Sequence, residues 1–177
     1  MRNWLEIKTL GIQDILRIMP HRFPFLLIDR VLEIKTGMPL TMGMAEEDIA
    51  HARKGSRVHA IKNVTINEIQ FQGHFPENPI LPGVLTLEAM AQAAAFATIP
   101  FVALRNGGKL PPLRVALAGF DGVRFRKPIV PGDTMHIKTE VKHAKGSVWS
   151  FDGLVEVDGK KVAEGTFLAQ LGVGEAE

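Results

Sequence analysis

The apolar residues of this chain follow two spacings, which predict strands in some stretches and helices in others. Between residues 134 and 141, and again between 148 and 157, apolar positions alternate with polar ones, as in a β-strand with one buried face. Lys145-Gly146 and Asp158-Gly159 fall where tight hairpin turns are expected. Further strands are predicted from similar β-rich patterns within residues 20–34, 59–67, 114–125 and 162–171.

One stretch has no polar face. From Pro82-Gly83 to Phe101 the pattern predicts a long helix, and its only ionisable residue before Arg105 is Glu88. A helix that is apolar on every side lies inside a protein. Two shorter helices are predicted, an amphipathic one over residues 11–19 and a surface one within residues 45–55.

Together these elements predict an α+β fold, with one antiparallel sheet wrapped around a long central helix. We expect a single domain over residues 1–177, because the chain is long enough for one sizeable core and short for two. One sheet leaves part of so apolar a helix uncovered, which favours at least a dimer. Residues 172–177 are predicted to be a loose tail.

Composition narrows the classes of function. The 46% hydrophobic and 23% charged residues are typical of a globular protein, and a net charge of +2 is too small to indicate nucleic-acid binding. The chain has no cysteine, which excludes disulfides and a cysteine nucleophile. Its first residues lack the apolar core of a signal peptide, and the apolar run after Glu88 is short for a membrane span. We therefore expect a cytoplasmic protein.

His74 and Glu88 are the candidate catalytic residues. A lone carboxylate on a buried helix is costly unless it is hydrogen-bonded or protonated, so such a residue usually has a use. His74 lies in a Gly-His-Phe-Pro loop that would hold the imidazole rigidly, and histidine titrates close to working pH. A structural histidine, and a structural carboxylate bonded by Gln92 four residues later, remain the alternatives.

Two further motifs have both a functional and an ordinary explanation. At the start of the long helix, free N–H groups could stabilise negative charge, and Gly83 would let a ligand approach, although Pro and Gly also simply begin helices. Arg124, Arg126 and Lys127 form a basic run. Such a run is usually a solvated strand edge, but it could dock an acidic protein or a phosphate group.

Several chemistries are disfavoured. None of the three serines lies in a G-x-S-x-G motif, and the chain lacks a glycine-rich phosphate-binding fingerprint. The histidines do not have the spacing of metal ligands. Acid/base catalysis that needs no cofactor and no metal is the chemistry that remains.

Three segments resemble one known family in order and spacing. They are PHRFPFLLIDRV, KNVTINEIQFQGHFPENPILPGVLTLEAMAQ and AGFDGVRFRKPIVPGD. Through them the chain resembles the FabZ-type (3R)-3-hydroxyacyl-[acyl-carrier-protein] dehydratases of bacterial fatty acid synthesis, which have the hot-dog fold. The resemblance implies reversible removal of water from a 3-hydroxyacyl thioester to give the trans-2-enoyl thioester.

The resemblance also implies roles for individual residues. His74 would be the catalytic histidine and Glu88 its acidic partner, contributed by different subunits of a dimer, and dimers in the family often form hexamers. The Gly83 N–H would bind the thioester carbonyl. Further substrate-binding candidates are Phe75, Val84 and Gln92. Acyl carrier protein, with its acyl chain on phosphopantetheine, would dock near Arg124, Arg126 and Lys127, whereas His21 and Arg22 of the Pro-His-Arg motif would be structural.

The chain departs from the family in two places. It has no tyrosine, and Val115-Ala116 stands where the family often has Tyr-Tyr as a gate to the acyl tunnel. Residues 37–57 are longer than the usual connection, which predicts an inserted surface segment. Two alternatives to the dehydratase stay open: a hot-dog acyl thioesterase, in which a carboxylate would activate water, and an acyl-carrier binding module without turnover.

Overall fold

Six antiparallel strands form one sheet in the order β1-β2-β4-β5-β6-β3. The structure is a computed structural model that describes residues 3–173. The strands are β1 (Arg30–Lys35), β2 (Arg57–Asn63), β3 (Leu113–Phe125), β4 (Thr134–Lys145), β5 (Val148–Val157) and β6 (Lys160–Val173). The helices are α1 (Ile12–Ile18), α2 (Glu46–Arg53), α3 (Gly83–Ala95) and α4 (Ile99–Arg105), with 3₁₀ turns at Ile69–Gln72 and Phe96–Thr98.

The alternating stretches form strands as predicted. In β4 and β5 the alternate positions from Met135 to Val141 and from Trp149 to Val157 are buried, and the side chains between them lie on the outer face of the sheet. Both predicted hairpin turns are present, with positive φ angles at Gly146, Asp158 and Gly159. Two-residue hairpin turns need such angles, which glycine and aspartate tolerate better than most residues.

The central helix runs through α3, a 3₁₀ turn and α4. The sheet packs closely against it at Gly153 of β5, where an added Cβ would lie 2.8 Å from the sulfur of Met90. Gly83–Arg105 is long and apolar enough to cross a membrane, but most of it is buried inside this fold, as in a core helix. The sheet around one central helix confirms the predicted α+β architecture.

Three segments differ in detail from the sequence predictions. Within residues 20–34 the strand begins only at Arg30, and the preceding residues form a loop. Within residues 37–57, α2 is mostly exposed but buries Ile49, Ala52 and Arg53. Of the predicted tail, residues 172 and 173 pair with β3 as the end of β6, and residues 174–177 lie outside the described residues.

Candidate active site

His74 is held in one tautomer by the loop that follows it. Its Nδ1 lies 2.7 Å from the carbonyl oxygen of Ile80, and the Ile80 N–H donates back to the carbonyl of His74 at 3.0 Å. A carbonyl can only accept, so Nδ1 carries the proton and Nε2 keeps the free lone pair. The ring of Phe75 stacks on the imidazole with centroids 4.2 Å apart. The loop therefore leaves Nε2 as the ring nitrogen that can accept a hydrogen bond.

Glu68 anchors the chain just before this loop. Its carboxylate accepts from the ammonium of Lys62 at 2.7 Å and from the N–H of Thr65 at 2.9 Å. Lys62 is buried in β2, so the pair ties the loop to the sheet. The N–H of His74 then donates to the carbonyl of Gln70 at 2.9 Å, which continues the 3₁₀ turn into the histidine.

His74 faces a cavity of about 500 Å³ at the start of α3. The first turn of this helix has N–H groups with no carbonyl partner in the helix, and its dipole makes this end positive. A Cβ at Gly83 would lie 2.8 Å from the ring of Phe125. A side chain at this position would have to displace that exposed ring, so the glycine makes room for Phe125. Val84 is 70% exposed at the same cavity, so the first turn of the helix is not buried, contrary to expectation.

Glu88 is only partly buried, with 20% of its side chain exposed, whereas the sequence predicted a buried carboxylate. Gln92 Nε2 donates to Glu88 Oε1 at 2.9 Å, as the i,i+4 spacing predicted. The same nitrogen donates to the carbonyl of Phe25 at 2.7 Å, and Gln92 Oε1 accepts from the N–H of Leu27 at 2.9 Å. Gln92 itself is 1% exposed.

These contacts bear on the predicted substrate-binding role of Gln92. Within residues 3–173 its buried amide is bonded on three sides, to Phe25, Leu27 and Glu88, so both of its N–H donors are already used. His21 is the residue that sequence reasoning missed, because its Nε2 lies 3.7 Å from Glu88 Oε1. His21 belongs to the Pro-His-Arg motif, for which the family resemblance implies a structural role. Arg22 does have a structural role there, since it donates to the carbonyls of Leu16 and Met19.

Within one chain, His74 and Glu88 do not line the same cavity. Glu88 does not line the cavity that His74, Gly83 and Val84 share. It is one helical turn beyond Val84, in contact with His21 and Gln92. This arrangement is compatible with a site that needs two chains.

The three basic residues differ in their surroundings. Arg126 pairs with Glu164, and Lys161 also reaches this carboxylate at 2.6 Å. Hydrogen bonds from Lys161 and then Arg126 lower the pKa of Glu164 below its usual value. Arg126 and Lys127 line the His74 cavity, whereas Arg124 does not. No acidic side chain within residues 3–173 pairs with Arg124 or Lys127.

Another histidine pair lies on the outer face of the sheet. His59 Nε2 is 3.0 Å from His136 Nδ1, so the rings share a hydrogen bond across β2 and β4. Burial, and then the neighbouring His136, lower the pKa of His59. Over the described part of the chain, no cluster of three or more potential ligands could hold a metal ion.

A model of the FabA-like domain matches residues 19–166 of this chain. A 3-hydroxyacyl-[acyl-carrier-protein] dehydratase FabZ of Myxococcus xanthus is 47% identical over 163 residues, or 92% of each chain. A FabZ of Pseudoalteromonas translucida is 43% identical over 157 residues, covering 89% of this chain and 90% of its own.

Solved structures show the same fold at low sequence identity. A chain of the dehydratase heterocomplex ApeI:P from Xenorhabdus doucetiae has a TM-score of 0.61 at 17% identity and covers 88% of this chain and 89% of its own. The fluoroacetyl-CoA thioesterase FlK has a TM-score of 0.53 at 16% identity and covers 68% of this chain and 88% of its own. At such identities the likeness extends to the hot-dog fold alone.

Proposed function

Since this chain belongs to the FabA-like family and is a 3-hydroxyacyl-[acyl-carrier-protein] dehydratase of fatty acid biosynthesis, we propose that His74 and Glu88 catalyse its reaction. The enzyme is a hydro-lyase: a proton leaves C2 and a hydroxyl leaves C3 of the (3R)-3-hydroxyacyl thioester. They depart as water, and the C2–C3 double bond forms. We assign this activity to one domain over residues 1–177, acting in the cytoplasm.

His74 is the base that takes the C2 proton. The observation that carries this assignment is the 2.7 Å contact between Nδ1 and the Ile80 carbonyl, which leaves Nε2 able to accept a proton at the start of α3. Loss of the C2 proton sends negative charge onto the thioester oxygen. The N–H groups of Gly83 and its first-turn neighbour stabilise that oxygen, assisted by the helix dipole.

Glu88 assists the departure of the C3 hydroxyl. Its carboxyl group is fixed by Gln92, and Gln92 is fixed by the backbone of Phe25 and Leu27. Such support matters because a displacement of about 1 Å in a catalytic group can cost roughly 100-fold in rate. His21 lies against the same carboxyl oxygen and contributes to its position.

A complete site requires a second copy of the chain. Within residues 3–173, strand β3 pairs only with β6, which leaves its 13 residues at an open edge of the sheet. Residues 8–10 cover the opposite edge by bonding to β1.

Leu117, Phe125 and Val84 are exposed near the open edge and the His74 cavity. Pairing of two β3 strands buries such apolar surface and brings His74 of one chain towards Glu88 of the other. Association of such dimers into a hexamer is the larger assembly that the family resemblance implies.

The acyl carrier protein docks beside the His74 cavity. Lys127 lines the cavity and has no acidic partner within residues 3–173, and Arg124 lies three residues away. Arg126 is already paired with Glu164, so it contributes less to binding an acidic partner. Val84 lines the cavity and Phe75 stacks on His74 beside it, and both exposed side chains provide apolar contact for the acyl chain.

Charge reversal tests this docking surface. We expect Lys127→Glu with Arg124→Glu to raise KM for a carrier-bound substrate and to leave KM for a short pantetheine thioester unchanged. The matched control reverses Lys145, which is exposed at the β4–β5 turn far from the cavity in sequence. Equal effects on both substrates would contradict docking at these residues.

Formation of the enoyl thioester tests the assignment of the catalytic residues. Purified protein is mixed with a 3-hydroxyacyl carrier protein, and the enoyl absorbance is followed for the wild type, His74→Ala and Glu88→Gln. We expect roughly 10²- to 10⁴-fold loss in each folded variant. Undiminished turnover in either variant refutes its role. Thiol release without enoyl product indicates a thioesterase, and binding without turnover indicates a carrier-binding module.

A further inference from the structure

A second cavity, of about 230 Å³, lies at the opposite end of the central helix. It shares no lining residue with the His74 cavity, and the helix between them spans 23 residues. Their nearest lining residues on the helix, Thr86 and Thr98, are 12 residues apart, or roughly 18 Å at ~1.5 Å per residue, so the two cavities are separate. The walls are mostly apolar and come from α4, the start of β3, the β4–β5 hairpin and the end of β6. They include Phe101, Val102, Leu113, Val115, Trp149 and Leu171.

Arg53 is the unusual residue in this cavity. It comes from α2, in the segment that is longer than the family's usual connection, and only 5% of its surface is exposed. Its Nε is buried and has no hydrogen-bond partner among the described residues. The guanidinium lies 5.4 Å from the ring centroid of Trp149, and burial lowers the pKa of Arg53. A buried guanidinium without a carboxylate partner is costly, so it marks a place where an anion is missing.

The charged side chains that line this cavity are all positive. Arg105 and Arg114 line it together with Arg53, and none of the described lining residues is acidic. Glu46 is the nearby carboxylate, and it pairs with Arg105 at 2.5 Å on the exposed side. Glu46 also attracts Arg53 electrostatically, but within residues 3–173 neither Arg53 nor Arg114 forms an ion pair with a carboxylate.

We propose that this cavity binds a free short-chain carboxylate, with its head on the Arg53 guanidinium and its tail on the apolar wall. A carboxylate matches the planar donors of arginine. The apolar wall favours an amphiphile over inorganic phosphate or sulfate. At ~30 Å³ per water-sized group, the cavity holds roughly eight such groups, which suits a ligand of the size of hexanoate. The inference goes beyond the dehydratase reaction and does not depend on it.

Trp149 allows binding to be measured directly. The chain has two tryptophans, so Trp4→Phe leaves Trp149 as the only one, in contact with Arg53 and the cavity. We expect hexanoate to change its fluorescence with a saturable curve and a Kd of roughly millimolar or tighter. 1-Hexanol and hexylammonium have the same tail without the negative charge, so they are expected to give no saturable change over the same range.

Variants of the Trp4→Phe protein assign the signal to this cavity. Arg53→Leu is expected to fold, because it replaces an unpaired buried charge, and to weaken hexanoate binding roughly tenfold or more. Val102→Phe fills the cavity while all three arginines remain, and it should weaken binding similarly. Arg30→Leu removes an exposed arginine on β1 and should bind like the parent. His74→Ala should also bind normally, because the catalytic cavity is separate.

Three results would overturn the proposal. They are the absence of a saturable change with hexanoate, equal binding of hexanoate and hexanol, and binding that persists in Arg53→Leu or, if that variant does not fold, in Val102→Phe. Each can occur in a fully active dehydratase, so failure here is distinguishable from failure of the catalytic assignment.

Discussion

Replacing Gln92 by leucine tests whether this residue positions Glu88 or binds substrate. The substitution keeps the approximate size of the side chain and removes both ends of its amide. Leu27 is buried, so its N–H loses its partner where water is scarce, at a cost of ~1–3 kcal/mol. The carbonyl of Phe25 and the carboxyl of Glu88 are partly exposed and recover some hydration.

We therefore expect Gln92→Leu to lower the free energy of unfolding by ~2–4 kcal/mol. For a chain of this length, that loss corresponds to a fall in Tm of roughly 5–15 °C. The kcat should fall by roughly tenfold or more, because Glu88 is no longer held, whereas KM should change little. Thermal unfolding and steady-state dehydration are measured at one protein concentration, since the Tm of an oligomer depends on concentration.

Gln70→Leu is the matched control. Gln70 also donates its amide to a glutamate, at 2.6 Å to Glu68, but it is partly exposed and lies away from Glu88. We expect a loss of less than ~1 kcal/mol. A raised KM with an unchanged kcat in Gln92→Leu would refute the positioning role and restore the substrate-binding role predicted from sequence. Unchanged stability would refute the buried hydrogen-bond network.

Three other perturbations follow from the contacts described above. Glu68→Gln leaves the buried ammonium of Lys62 without its carboxylate and should cost ~3 kcal/mol in urea unfolding. The pKa of His59 is lowered in the folded state, so its contribution to stability is present above pH ~6.5 and is lost as the pH falls below that value. His59→Gln should therefore flatten the decline in Tm between neutral and mildly acidic pH. His21→Leu removes the ring beside Glu88 and should lower kcat about fivefold, for a contact worth ~1 kcal/mol.

The first two perturbations have control variants, and the third has an outcome that would contradict it. Adding Lys62→Met to Glu68→Gln removes the stranded charge and should recover part of the lost stability; no recovery would contradict the charge explanation. His143→Gln changes an exposed histidine of β4 and should keep the wild-type pH dependence. If it flattens the curve as much as His59→Gln does, burial of His59 is not the cause. An unchanged kcat in His21→Leu would leave that ring with a structural role alone.

The local patterns predicted much of the fold because they report on local geometry. Alternation in residues 148–157 predicted β5 to the residue, and Asp158-Gly159 predicted its turn. The strand within residues 20–34 was placed too early, because that apolar run is held as a loop by contacts with α3. Such contacts join positions 65–67 residues apart, and no periodicity reveals them.

In the candidate site, too, local contacts were predictable from the sequence and contacts between distant segments were not. The bond from Gln92 to Glu88 was predictable, since residues four apart on a helix are neighbours. The contact of His21 with Glu88 was not, because it depends on how a distant loop packs against the helix. Arg53 was also missed. The acidic start and basic end of α2 indicated a surface helix, whereas Ile49 and Ala52 give it an inner face that carries Arg53 inwards.

Mixing two inactive variants tests the central claim that His74 and Glu88 of different chains form one catalytic site. His74→Ala and Glu88→Gln proteins are purified separately, exchanged into mixed dimers, and assayed for enoyl formation. In each mixed dimer one site receives both intact residues and the other receives neither, so the mixture should recover about a quarter of wild-type activity, since half the dimers are mixed. If exchange is verified and activity stays at the level of the separate variants, the two residues do not act together across the dimer and this account of the site is wrong.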